Sequence, residues 1–334
     1  MAVPVNAQCV PGIEAVPVVG CLGVPISGHT RESAAQGVVR LAREIRAARH
    51  ADDVRRADGT KHTDGTARAD DAGHTDGARA GATARGDVHL CNAYTLTLAE
   101  RDPELLETLG SAALNLPDGQ PVVWANRLLH RGTALPSRRV YGPDLLLDVF
   151  ALSTDTELSH YLLGSTPRVL KSLERELRSR YPGARIAGTC SPPFRPLTDR
   201  ELRQQAEEIR SVDADIVWVG LGTPKQDRWS AELCELLPVV AVAVGAAFDF
   251  VAGTKPQAPS WMQRSGLEWV FRFGCEPRRL WRRYLFGNAR FVRGVVRQAT
   301  RRGQAHGPAV PTGSRSPESG PTRRPGTGDS RPGS

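Results

Sequence analysis

Ile216-Val217-Trp218-Val219-Gly220-Leu221-Gly222-Thr223-Pro224-Lys225-Gln226-Asp227-Arg228-Trp229 reads as a buried strand running into a tight turn and a helix start. Apolar and β-branched positions precede the Gly-x-Gly, and Pro224 with a polar cluster opens an amphipathic segment. In an open parallel sheet such turns line the crevice outside the carboxyl ends of the strands, where ligands sit. Backbone N–H groups freed by the glycines and by the first helical turn would face an anion there, with Lys225 adding charge. A purely structural βα turn accounts for the same residues. The dinucleotide fingerprint is not met, because Lys225 stands where its third glycine would be.

Outward from this stretch the same alternation repeats. Strand patterns fall at 88–91, 114–116, 159–163, 185–188 and 239–244, with helical periodicity at 92–109, 121–129, 144–152, 166–177 and 198–209. Thr198-Asp199-Arg200-Glu201 is a capping box. Strands and helices of these lengths imply right-handed crossovers and a parallel sheet. The fold class expected is α/β, a Rossmann-like parallel sheet sandwiched by helices with a C-terminal arginine- and aromatic-rich helical appendage.

Composition divides the 334 residues. Residues 1–16 read as a flexible N-terminus and 17–49 as a first strand–helix unit. Residues 50–86, rich in Ala, Asp, Gly, Thr, Arg and His, bury too little apolar surface to offset their ordering entropy and read as a disordered insertion. Residues 87–253 form the core, 254–302 the appendage, and 303–334 a Gly/Pro/Ser/Arg tail without a core. The formal charge of +8 is uneven: residues 264–302 hold eleven arginines against Glu268 and Glu276, so the basic character belongs to the appendage. Six scattered cysteines fit neither a zinc site nor a disulfide framework. The first twenty residues lack a signal-peptide pattern, and the longest apolar run, 239–248, is too short to cross a bilayer. The expectation is a cytoplasmic protein with at most peripheral membrane contact.

Asn92, Asp118, the segment 220–226 and Asp249 all fall just past strand ends, where a parallel sheet gathers its loops. Asp118 follows an apolar strand and precedes a glycine, so its carboxylate can serve as a general base. An Asp-Gly turn is the plainer alternative, and Asp249 can equally be satisfied by nearby backbone N–H groups.

Asn92-Ala93, Pro117-Asp118-Gly119, Arg139-Val140-Tyr141-Gly142, Tyr181-Pro182-Gly183, 219–227, 247–253, Ala258-Pro259, Gly266-Leu267-Glu268-Trp269 and 276–284 occur in the order found in the WecG/TagA/CpsF family of glycosyltransferases, which this chain resembles over about residues 88–290. The resemblance implies an inverting transferase that needs neither metal nor cofactor. It would move a sugar of N-acetylmannosamine, N-acetylmannosaminuronic or glucuronic type from a UDP-sugar to a polyprenyl-diphosphate-linked sugar at the inner membrane face. By the same resemblance Asp118 matches the base, Asn92 and Gln226 line the sugar-nucleotide pocket, and Arg139 lies near the phosphates. Gly222, Asp249, Arg279, Arg282 and Arg283 complete the expected substrate contacts. Arginine pairs with phosphate while tryptophan settles at a headgroup boundary, which suits an anionic membrane surface; aromatics packed on the core are the alternative. An arginine- and tryptophan-rich appendage also suits packing on a second copy of the chain.

Leu90 stands where the family often has a threonine, with Thr95 as a substitute hydroxyl, and Gln257 replaces the arginine of its Arg-Ala-Pro. The rival readings are a nucleic-acid or anionic-surface binding protein on a Rossmann-like scaffold, supported by the C-terminal arginines, and a nicotinamide-dependent oxidoreductase. The second fails on the glycine pattern and on the lack of an acidic residue placed for a ribose.

Overall fold

The computed structural model describes residues 16–60, 85–136, 138–195 and 197–305, with the side chains at 57–60, 279, 282–285 and 302–305 outside that description. In chain order the elements are β1 (Val18–Cys21), β2 (Val24–Ser27), α1 (Arg31–Thr60), β3 (Asp87–Cys91), α2 (Ala93–Ala99), α3 (Pro103–Ser111), β4 (Leu114–Pro117), α4 (Gln120–Leu129), α5 (Gly142–Ser153) and β5 (Ser159–Gly164). They continue with α6 (Pro167–Arg180), β6 (Arg185–Cys190), α7 (Asp199–Ser211), β7 (Ile216–Gly220), α8 (Lys225–Leu236), β8 (Val240–Ala243), α9 (Ala247–Val251), α10 (Ser260–Arg264), α11 (Glu268–Cys275) and α12 (Pro277–Ala305).

Six strands form one sheet, ordered β4-β3-β8-β7-β5-β6, and every pair in it is parallel. The period of two in β7 decides which layer each side chain meets. Ile216 and Trp218 face the layer made by α1, α5 and α6, while Val217 and Val219 face α7 and α8. The Rossmann-like α/β sandwich expected from the alternation is therefore the fold.

Two buried polar networks tie helices to the sheet. The Trp218 indole N–H donates to His160 Nδ1 at 3.1 Å, and Ser153 Oγ lies 2.8 Å from the other ring nitrogen. Burial lowers the His160 pKa to about 3, so the ring is neutral and accepts from the indole. On the other face His89 sits between two carboxylates, 3.1 Å from Asp227 at the start of α8 and 3.1 Å from Asp87 on its own strand. Burial opposes a charge on His89, but its hydrogen bonds to Asp227 and Asp87 outweigh that and raise its pKa to about 9. This charged chain fastens the first turn of α8 to β3.

Three boundaries differ from the sequence-based expectation. The single strand expected at 18–24 is a hairpin of β1 and β2, because Leu22 and Gly23 both adopt positive φ, +51° and +87°, and make the two-residue reversal. The helix expected over 92–109 is two, since Asp102 caps the Leu105 N–H at 3.1 Å and Pro103 opens a new first turn. Helix α1 runs to Thr60, well past His50 where order was expected to end. Arg49 binds Asp215 at 2.6 Å just before this extension, and Arg55 binds Asp52 at 2.9 Å within it. The rest of the expected insertion through residue 84, like 1–15 and 306–334, lies outside the described residues.

The appendage is anchored to the core through α12. Phe291 and Val295 are buried with Leu22 and Leu96, and the Gln298 amide accepts from Leu22 N and donates to Gly20 O, both at 2.9 Å. Further up, Trp261, Trp269, Phe273, Trp281 and Phe286 are exposed. Of the appendage aromatics Phe291 packs on the core as the alternative expected, whereas these five keep much of their surface exposed.

Because the folded pKa of His89 lies above its ordinary value of 6.5, its ion pairs stabilise the fold fully below about pH 6.5, and that contribution is lost as pH rises through about 9. Urea midpoints should fall across this window in the wild type. In His89→Gln they should be lower throughout but flat across it; an unchanged slope would remove His89 as the titrating group.

Candidate active site

The carboxyl ends of the strands converge as parallel topology requires. The Asp118 N–H donates to Cys91 O at 2.9 Å, which seats the end of β4 beside the end of β3. Val140 N donates to Pro117 O at 2.8 Å and brings the segment 139–142 to the same edge. Asn92 caps α2, its Oδ1 accepting from Tyr94 N at 3.0 Å and Thr95 N at 3.2 Å. A Cβ on Gly119 would lie 4.0 Å from that of Asn92, so Asn92 and Asp118-Gly119 are neighbours.

Two hollows open here. The larger, about 420 Å³, runs from Asn92 and Asp118 past Gly245 and Gln226 to the turn after β7 and on to Ser165 and Phe194. The smaller, about 90 Å³, lies between the start of α4 and α11, against Arg139, Glu268 and Trp269. Asn92, Asp118 and Arg272 line both. A group entering from either side meets the same carboxylate.

The turn after β7 is shaped by its glycines and by Gln226. A side chain at Gly220 would put its Cβ 2.7 Å from the Phe248 ring, and Gly222 has φ +81°. The Gly222 N–H donates to Gln226 Oε1 at 2.9 Å, while Gln226 N donates to Gly222 O at 3.0 Å. That N–H, expected to face an anion, is therefore committed to the turn itself, and Gln226 keeps its Nε2 as the donor on the cavity wall. Lys225 points elsewhere: its ammonium donates to Arg195 O at 2.8 Å and Pro193 O at 3.3 Å.

Asp249 lines the larger hollow, and Thr254 Oγ1 is 3.5 Å from its Oδ1. Arg139 forms an ion pair with Glu268, whose other oxygen meets Arg272 at 2.6 Å. Each guanidinium also covers an aromatic ring, Arg139 that of Tyr141 at 4.2 Å and Arg272 that of Phe250 at 4.8 Å. Burial, with the Glu268 charge behind it, pushes the Tyr141 hydroxyl well above the usual tyrosine range. Arg279, Arg282 and Arg283 fall on α12 with side chains outside the described residues. Leu90 lines the larger hollow as a buried apolar residue. Thr95 is buried and lines neither hollow, and Gln257 is exposed away from both.

Sequence reasoning missed Glu268, Arg272, Lys255 and Phe194. The first two were visible as an i,i+4 acid–base pair, but nothing in that spacing says that Arg139 joins it from another element.

Residues 68–305 match the family described as the WecG/TagA/CpsF family of glycosyl transferases. The chain belongs to that family. Two similar relatives are the N-acetylglucosaminyldiphosphoundecaprenol N-acetyl-beta-D-mannosaminyltransferases of Bacillus subtilis (strain 168) and Bacillus spizizenii (strain ATCC 23059 / NRRL B-14472 / W23). Each is 31% identical over 188 residues, covering 56% of this chain and 70% of the relative. The molecule is thus a glycosyltransferase, and its α11 borders the smaller hollow with Glu268, Trp269 and Arg272.

Glu268→Ala should leave Arg139 and Arg272 confronting each other without a counter-charge. A loss of about 3 kcal/mol in unfolding free energy is expected, with faster proteolysis after Gly253 than in the wild type. Unchanged stability and protease resistance would mean that the glutamate does not hold α10 and α11 in place.

Proposed function

We propose that this glycosyltransferase moves an N-acetylmannosamine-type sugar from a UDP-sugar to a polyprenyl-diphosphate-linked sugar, by one displacement with inversion and without a metal. The observation that carries the reading is that Asp118 and Asn92 stand where two hollows meet. The larger takes the nucleotide sugar, and the smaller takes the acceptor's terminal sugar with its hydroxyl against Asp118. The acceptor oxygen attacks the anomeric carbon and the bond from that carbon to the phosphate oxygen breaks. The electron pair leaves with UDP, and the proton passes to the Asp118 carboxylate. The β-linked N-acetylmannosaminyl group in the relatives' names favours N-acetylmannosamine over the uronic acids as the group moved.

The leaving diphosphate needs positive charge as it forms. The N-terminal turns of α5 and α6 border the larger hollow through Gly142, Pro143 and Thr166, and Lys255 and Arg272 line it too. Asn92 and Gln226 offer neutral donors to the sugar. Arg139, together with Arg279, Arg282 and Arg283, serves the acceptor's diphosphate, and Asp249 takes a hydroxyl of the donor. In this reading 87–253 is the catalytic core and 254–302 the part that meets the lipid. Among the described residues no helix is long and apolar enough to cross a membrane. The exposed aromatics of α10 to α12 support contact with an anionic membrane surface instead. The nucleic-acid reading rests on the C-terminal arginine excess and the Gly/Pro/Arg tail.

With chelator present, a panel of UDP-sugars and a lipid-diphosphate N-acetylglucosamine acceptor, Asp118→Asn should lower kcat by about 10²- to 10⁴-fold with little change in KM. Full activity in that variant would remove Asp118 as the base. Replacing Trp261, Trp281 and Phe286 together by serine should abolish sedimentation with anionic vesicles while leaving the circular dichroism spectrum intact. Sedimentation equal to wild type would end the docking role.

A further inference from the structure

Phe194, in the loop between β6 and α7, is 88% exposed and lines the larger hollow at the end farthest from Asp118. A bare phenylalanine in a loose loop would carry little meaning. This loop is fastened at three points. Ser191 Oγ donates to Ser165 O at 2.8 Å, where β5 ends. Arg195 grips Glu201 with two hydrogen bonds of 2.9 and 2.6 Å. Between them the Lys225 ammonium donates to the carbonyls on either side of the phenylalanine, Pro193 O and Arg195 O. A lysine beside a phosphate-binding cavity is thus committed to holding a backbone that presents one aromatic ring.

The order of the sheet sets what that ring can meet. From β4 to β6 there are five inter-strand steps of about 4.8 Å, roughly 24 Å along the carboxyl edge. Asp118 follows β4, the helix N-termini and the Gly220 turn lie in the middle, and Phe194 follows β6. A nucleotide sugar laid along this edge with its sugar at Asp118 has its diphosphate in the middle and its base at the β6 end. Both substrates of the proposed reaction carry a diphosphate, so phosphate contacts alone do not tell donor from acceptor. A flat aromatic face does, because a nucleobase stacks on it and a lipid-linked sugar offers no such ring. The exposed aromatics of α10 to α12 belong to the other side, where α12 packs on α2 and α4.

We propose that Phe194 is the stacking platform for the donor's nucleobase and the residue that selects a nucleoside diphosphate for the larger hollow, with Lys225 as the positioning residue that fixes its loop. This rests on the nucleotide-sugar reading above. Titration calorimetry on the full chain, with UDP and with inorganic pyrophosphate as separate probes, tests it. Phe194→Ala should weaken UDP binding by about 5- to 100-fold and leave pyrophosphate binding within twofold, and Phe194→Trp should restore UDP affinity. Lys225→Met should weaken UDP more than pyrophosphate, since it frees the loop without touching the diphosphate. Equal weakening of both probes by Phe194→Ala, or UDP affinity unchanged, overturns the proposal. Failure of the wild type to bind UDP at all while binding pyrophosphate overturns the donor reading, and this proposal with it.

Discussion

The carboxyl edge of the sheet depends on how closely β7 passes the Phe248 ring. A methyl group at Gly220 would lie 2.7 Å from it, inside any tolerable contact, so the strand has room to end there only as glycine. The approach seats α9 under the sheet, and Ala247, Phe248 and Val251 are buried as a consequence. The chain must then turn sharply, which it does with positive φ at Gly222 and a side-chain brace from Gln226. Beyond it α8 begins in a fixed place, held to β3 by the His89 pair and to α3 by Arg228 on Asp102 at 2.6 Å. Strand end, turn and helix start are one mechanical unit, and the larger hollow is the space that unit leaves.

Electrostatics shapes the other wall. Glu268 is nearly buried, and alone its charge would be costly to desolvate. Two arginines from different parts of the chain share it, and both guanidiniums lie on aromatic faces that exclude water without competing for hydrogen bonds. The cluster keeps one net positive charge beside the carboxylate of Asp118. It therefore joins α11 to the core.

Much of this was legible in the sequence, for definite reasons. Period-two and period-3.6 patterns, the Thr166 and Thr198 caps and the ordered family motifs read correctly because each depends on neighbours in the chain. Asn92, Asp118, Gln226 and Asp249 could be assigned to one edge because parallel topology alone brings strand ends together. Long-range partners were not legible. The hairpin turned on a positive φ at Leu22, a residue with no preference for it, and the split between α2 and α3 turned on an Asp-Pro that periodicity passes over. No local pattern brings Arg139 to Glu268, since the two lie more than a hundred residues apart.

Lys225 shows most clearly why residue type underdetermines role. Next to a Gly-x-Gly turn at the mouth of a cavity, a lysine suggests a phosphate ligand, since charge and position both agree. Its ammonium has three protons, however, and backbone carbonyls take two of them when a loop brings both within 3.3 Å. Burial, followed by the nearby Arg195 charge, lowers the Lys225 pKa. Which partner wins is decided by where the chain between β6 and α7 runs, and that path is set by Ser191 and Arg195, neither of which carries a motif. The stretch that organises the fold thus serves the site indirectly: its glycines shape the cavity, its glutamine braces the turn, and its lysine aims a ring it does not itself contain.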